Sequence, residues 1–452
     1  MDILLITQII AAVLSAVVIY TVIGFIPGTD ETSVLVPITL ALVLTGLRPE
    51  VILAFFVASI ITLSITNAIP TALVGLPGGV MSSPMMESSL YLKDKGLSAK
   101  VIKKMAAGAV VGILISLPIS LILANLIAPL GTALKDHASL LFVFGAVFLA
   151  LMSKAKVLSL ISIIPISLLI MGLRHLYWGL GVVDENKNIT VSFFLGITIG
   201  PLLVSLFELL NSKERQKFLT NKEKQITIPK NTINTLNPFK ILTKDELKKT
   251  SLAALISNFF FVLSPVGITI LLGEVMGKNV QDKEEQAFTK ISTMAALIQS
   301  TYISGILIPL IAVGVPLSPV SIGPGIALFD AEPVFSQGKN IHHLLSPLQI
   351  GVIALVAALI AMLISFYLTN KYATGISKFV LTKIPHEAVL ALFISFIVLL
   401  AFMDAGLINV FGVLVIGLFS GFLNRLGVNY GVQFMALYAA PWIVNQLVVL
   451  GL

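Results

Sequence analysis

The chain alternates long charge-free runs with short charged tracts. Thirteen runs of 16 or more residues contain no Asp, Glu, Lys or Arg, and about 20 apolar residues span a bilayer's hydrocarbon core as a helix. The two longest, 51–86 and 291–329, do more than cross once. At ~1.5 Å per residue, the 36 residues of the first would form a rod far longer than a ~30 Å core. Each run holds one helix-breaking frame. Residues 69–77 read Ile-Pro-Thr-Ala-Leu-Val-Gly-Leu-Pro and residues 308–316 read Ile-Pro-Leu-Ile-Ala-Val-Gly-Val-Pro, 239 positions apart. Proline and glycine interrupt backbone hydrogen bonding at membrane depth, so both runs are expected to be broken helices that re-enter the membrane.

The same offset maps 105–134 onto 344–370, 189–207 onto 426–452 and Gly28 onto Gly267. It fails at 32–47, whose counterpart 271–286 is polar; either the halves have diverged there or the first carries an extra crossing. Between the copies, residues 211–250 hold ten Lys or Arg, four acidic residues, Pro229 and Pro238. This reads as a linker, giving a first membrane repeat over 1–210, the basic linker over 211–250 and a second repeat over 251–452. Excess basic residues mark cytoplasmic tracts, which places inside the linker, the five lysines of 93–104, Lys154 with Lys156, the tract 371–383 and Arg425. Residues 250–273 are then expected to run outward, leaving the acidic tract 274–285 outside. The tract after the first frame is cytoplasmic and the tract after the second, 330–343, external, so the two copies are inverted. The fold class expected is an all-α integral membrane protein of about 11–13 transmembrane or re-entrant helical segments, arranged as two inverted repeats with broken helices or hairpins.

Composition agrees and narrows the function. Of 452 residues 57% are hydrophobic and 11% charged, where a soluble domain has roughly a quarter charged. The net charge of +7 gathers between the apolar runs, which fits membrane orientation and not nucleic acid. The run 3–29 exceeds a signal-peptide core and reads as a retained span. The absence of cysteine excludes disulfides, iron–sulfur ligation and thiol chemistry. No Walker A, His-Glu-x-x-His, Gly-x-Ser-x-Gly or paired intramembrane aspartate motif occurs, so neither an ATP-driven pump nor an enzyme is expected. The histidines at 137, 175, 342, 343 and 386 have no metal-ligand spacing, and Trp178 and Trp442 read as interfacial anchors.

Candidate chemistry lies in the two broken runs. The first offers Asn67, Thr71, Ser82 and Ser83 with Gly78 and Gly79; the second offers Ser300, Thr301, Ser304, Ser318 and Ser321 with Gly314. Neither run contains Lys or Arg, so an anion there would be held by helix N-termini, amides and hydroxyls. Pro77, Pro316 and Gly28 are the expected tips. Asp30 and Glu31 follow the Pro27-Gly28 break; with Asn67 and Gly314 they are the candidates for coupling to a cation, sodium or a proton. Any single hydroxyl can equally bond back to its own helix.

The run Thr71-Ala72-Leu73-Val74-Gly75-Leu76-Pro77-Gly78 with Lys93-Asp94-Lys95-Gly96 downstream resembles the large permease subunit of the tripartite tricarboxylate transporters. So do Gly24-Phe25-Ile26-Pro27-Gly28 with Pro37, and Ser304-Gly305 leading to Ile308-Pro309 and Val313-Gly314-Val315-Pro316. The chain departs from that family's pattern at Ser88–Tyr91, at Gln299-Ser300, at Pro316-Leu317 and at Thr29-Asp30-Glu31. The resemblance implies secondary active, cation-coupled uptake of small di- or tricarboxylates across the plasma membrane, with a small membrane subunit and a soluble binding protein as usual partners. No cofactor beyond the coupling ion is implied, and a homodimer is left open. A passive channel or facilitator is the alternative from the residues alone, and a membrane enzyme on a lipid-linked substrate a weaker one.

Overall fold

The computed structural model describes residues 3–26, 31–73, 78–153, 155–184, 189–210, 235–278, 280–336, 338–383 and 386–451. Pro77, Gly28, Asp30 and residues 211–234 of the expected linker lie outside them. The described backbone is helical almost throughout; beyond two isolated bridges, Ala331 with Phe335 and Ser336 with Lys339, it contains no strand. The long helices are α1 (Ile3–Gly24), α2 (Glu31–Leu44), α3 (Pro49–Thr66), α4 (Ser98–Ile127), α5 (Ala138–Met152), α6 (Lys156–Gly179) and α7 (Thr190–Leu210). After the linker come α8 (Lys244–Ser257), α9 (Pro265–Gly277), α10 (Lys283–Ala312), α11 (Pro347–Lys383), α12 (His386–Arg425) and α13 (Tyr430–Val449). Among the described residues, nine helical stretches are long and apolar enough to cross a membrane.

Both charge-free long runs are broken. After α3 the chain stops at Asn67, makes the short helix Ile69–Leu73, and resumes at Ser83–Met85 and Met86–Asp94. α10 absorbs Pro309 and ends at Ala312, where Gly314 turns at φ +74°, a conformation that favours glycine; Pro319–Ile322 and Ile326–Leu328 follow. The spans containing α3 and α10 are 100% buried over their most apolar window, whereas α1 and α12 are 33% and 22% buried. The broken segments therefore form the centre, and α1 and α12 lie at the periphery.

Helix packing is pairwise and swapped between halves. α1 packs on α3 and α11, and α8 on α10 and α4; α3 packs on α11 and α10 on α4; α7 packs on α12, and α13 on α5 and α6. A shift of 239 moves α1 onto 242–263, α3 onto 288–305, α4 onto 337–366 and α7 onto 429–449, that is, onto α8, α10, α11 and α13. Each partnership thus has a counterpart with the halves exchanged. Glycines let backbones touch, as membrane helices without a hydrophobic drive require. A Cβ on Gly108 or Gly112 of α4 would lie 2.1 Å from the Ser292 carbonyl oxygen or 2.4 Å from that of Ala296.

The departures from the sequence reading have physical causes. Lys95 lies 3.6 Å from Glu284, Lys104 pairs with Glu246 in a buried contact, and Lys290 lies 2.6 Å from Glu274. The starts of α4, α8 and α10 and the end of α9 thus share one membrane face, and 274–285 is on the side of the 93–104 lysines, not opposite it. The 14-residue α8 rises only ~21 Å; the chain turns through Asn258–Phe260, and the Ser264 cap with Pro265 starts α9 back. α9 stands where the offset led to the polar 271–286: the short helix matching α2 begins several residues earlier. α8 also begins at Lys244, inside the span read as linker, fixed by a capping box of Thr243 and Glu246.

α12 is also broken, at the charge that separates its two apolar runs. Ala405 and Gly406 leave helical geometry, and the Asn409 amide donates to the Ala401 carbonyl at 2.8 Å. Eight residues along a straight helix would separate them by ~12 Å, so the chain folds back there and α12 is two helices joined by a tight turn. Asp404, the one charge between the runs 388–403 and 405–424, sits at this turn and accepts from the Ser192 hydroxyl.

Candidate functional site

A cavity of about 470 Å³ lies between the two broken segments, within the ~300–1,000 Å³ common for small-molecule sites. Glu31, Val80, Met81 and Ser83 line it from the first half, and Pro319, Val320 and Pro324 from the second. Val80 and Met81 correspond to Pro319 and Val320 under the 239 offset. The first turns of α9 (Ser264–Gly267) and α13 (Asn429–Gly431) complete much of the wall, together with Tyr302, Phe434 and the end of α5 at Met152 and Ser153. Lys and Arg are absent from this wall among the described residues.

Each wall element is placed by local chemistry. The Ser264 hydroxyl accepts from the Gly267 amide at 3.3 Å and the Asn429 side chain from the Gly431 amide at 2.7 Å, capping α9 and α13. A capped first turn still presents further amides and the positive end of the helix dipole, about half a charge, to whatever fills the cavity. The two broken segments are held by one shared turn. The Gly79 amide donates to the Ser82 hydroxyl at 3.0 Å, which donates back to the Gly79 carbonyl at 2.9 Å. At the equivalent positions the Ser318 amide donates to the Ser321 hydroxyl at 2.9 Å, which returns to the Ser318 carbonyl at 3.0 Å.

The first segment is tied to Glu31, whose side chain is buried at the start of α2. Its Oε1 accepts from the Asn67 Nδ2 at 3.1 Å and from the Met81 amide at 3.2 Å. Gly78 and Gly79 permit this approach: a Cβ would lie 1.7 Å from the Asn67 carbonyl oxygen at residue 78, and 2.5 Å from Glu31 Oε1 at residue 79.

Of the residues expected at the site, Glu31 and Ser83 line the cavity. Gly79, Ser82, Ser318 and Ser321 form the paired turns behind it, with Ser318 also donating to the Gly305 carbonyl at 2.5 Å. Thr301 and Ser304 bond back to carbonyls of α10, and Thr71 and Ser300 are buried with hydroxyls that have no partner among the described residues. Asn67 lies behind Glu31, its Oδ1 unpartnered among those residues. The Gly314 carbonyl accepts from Asn340 at 2.8 Å, and neither it nor the buried Pro316 is in the wall. The sequence reading passed over Ser264, Asn429, Tyr302, Tyr430 and Phe434. A serine before proline and an asparagine before an apolar helix are start signals that could have found the first two; the aromatics carry no such signal.

No curated protein and no solved structure matches the chain. A family model described as the tripartite tricarboxylate transporter TctA family matches residues 10–433 of the 452. The chain belongs to this transporter family and, with nine membrane-length helices among its described residues, is a multi-pass protein of the plasma membrane.

Proposed function

We propose that the protein moves small di- or tricarboxylate anions by alternating access, in symport with a cation, between two inverted repeats. The observation that carries this reading is a cavity walled by both broken segments at offset-equivalent positions. Carboxylates fit its chemistry: a wall without Lys or Arg still offers two helix N-termini, and an anion binds such ends through amides and dipole. The tricarboxylates for which the family is described support the same choice. The wall residues Ser153, Asn424 and Gly427 lie close in sequence to the basic Lys156 and Arg425, which supports a cavity reached from the cytoplasm. The exchanged helix pairings and the matching serine turns support the inverted repeat, and the family's tripartite character supports a soluble binding protein and a small membrane subunit as partners.

Counterflow in proteoliposomes tests this reading. Unlabelled tricarboxylate trapped inside should draw labelled tricarboxylate in above its equilibrium level, and a cation gradient should drive net accumulation. Flux that merely equilibrates the label, with no counterflow and no response to any gradient, would mean a channel and end the proposal.

A further inference from the structure

We propose that Glu31 is the coupling site and that the cation it carries is a proton, taken up when the first broken segment leaves it and released into the cavity when that segment docks. This rests on the transport reading above. A carboxylate buried at membrane depth is costly unless its oxygens are satisfied or it is neutralised. In the conformation described, Glu31 is 4% exposed and its Oε1 accepts from two N–H donors, Asn67 Nδ2 on the framework helix α3 and the Met81 amide beyond the break. Donors of this kind complement a carboxylate, whereas a metal cation needs oxygen ligands where these hydrogens point.

The Met81 donor exists only while residues 78–81 press against α3 and α2. Gly78 and Gly79 make that docking possible, since a side-chain carbon at either would overlap Asn67 or Glu31. Displacing the segment removes the Met81 donor; a proton from water then neutralises the carboxyl. Redocking restores the amide and returns the proton to water in the cavity, which Glu31 and Met81 both border. One proton crosses per cycle, and the segment's position and the carboxyl's charge bias each other reciprocally.

Other titratable groups around α2 are already engaged or set apart. Glu50 on α3 pairs with Arg48 at 3.0 Å, Glu208 on α7 pairs with Arg425 of α12, and Asp404 of α12 accepts from Ser192. Asp330 follows the Ile326–Leu328 turn that packs on α2, and Tyr302 and Tyr430 share the cavity with Glu31. Asp30, its chain neighbour, lies outside the described residues.

The test is accumulation of labelled citrate in proteoliposomes with the potential clamped at zero, read alongside a trapped pH dye. For wild type, a ~1-unit inward proton gradient should concentrate substrate by up to about tenfold per coupled proton and move the dye signal with substrate. Glu31→Gln should accumulate nothing above equilibrium, and its residual flux should lose its dependence on pH; Glu50→Gln should still concentrate substrate. Glu31→Asp should couple with a displaced pH profile, and this variant carries the test if the glutamine form does not fold. Gradient-driven accumulation by Glu31→Gln, or an unshifted profile for Glu31→Asp, overturns the inference. A wild type driven by sodium and indifferent to protons also overturns it while leaving transport standing. A wild type with no counterflow of any carboxylate fails at the transport reading instead.

Discussion

Residue 78 shows how little space the first break has. The methyl of alanine there would sit 1.7 Å from a backbone oxygen of Asn67, which cannot swing aside as a side chain could. Gly78→Ala is therefore expected to cost about 1–3 kcal/mol as overpacking and to abolish uptake while the protein remains inserted. Gly172→Ala, where the new carbon meets nothing within 4 Å, should do neither. Uptake and melting in detergent, measured side by side, check both. The serine turns give a second expectation: Ser82→Ala and Ser321→Ala both remove the turn's amide-to-hydroxyl and hydroxyl-to-carbonyl bonds, about 1 kcal/mol each, and the Ser318 hydroxyl that also donates to Ser321 keeps its bond to the Gly305 carbonyl. The two should lower the melting temperature similarly, and a large effect at one position alone would break the equivalence. At this scale the sequence was legible where breakers recur. It was not legible for which hydroxyl faces the cavity, because Thr301 and Ser304 satisfy themselves on their own helix while Ser83 lies at the wall, and spacing does not distinguish the two.

At the scale of elements, the contact between α4 and α10 joins the two halves through glycine. Gly112→Leu should push the backbones apart and lower the melting temperature by far more than Gly172→Leu on lipid-facing α6, because only the first meets backbone. The start of α13 carries a different role. Asn429→Ala removes the cap on its first turn and should raise the KM for carboxylate with a smaller effect on stability, about 0.5–2 kcal/mol; an unchanged KM would remove that helix end from the substrate site. Long helices were readable from charge-free length alone. The α8–α9 pair was not, because 24 uncharged residues look like one crossing when the turn inside them is made by Ser257–Asn258 and Ser264–Pro265. The fold-back within α12 was foreshadowed only by Asp404 between two apolar runs.

The whole molecule is a pair of central broken segments clamped between halves that exchange partners. Placing α3 and α10 wholly inside protein lets irregular backbone exist at membrane depth, since its open amides and carbonyls meet protein or the cavity and not lipid. The sequence carried the breaks in both long runs; it did not carry sidedness at 274–285, because acidic residues there pair with the lysines of the same face and charge counting assigned them to opposite faces. The most direct test of the central claim, that both breaks wall one substrate site, uses the natural absence of cysteine. Single cysteines at Ser83 and Pro319, one from each wall, are labelled with a small thiol reagent across a citrate titration. The account predicts that citrate shields both, with the same half-effective concentration. Shielding of only one, or of neither while transport persists, would contradict it.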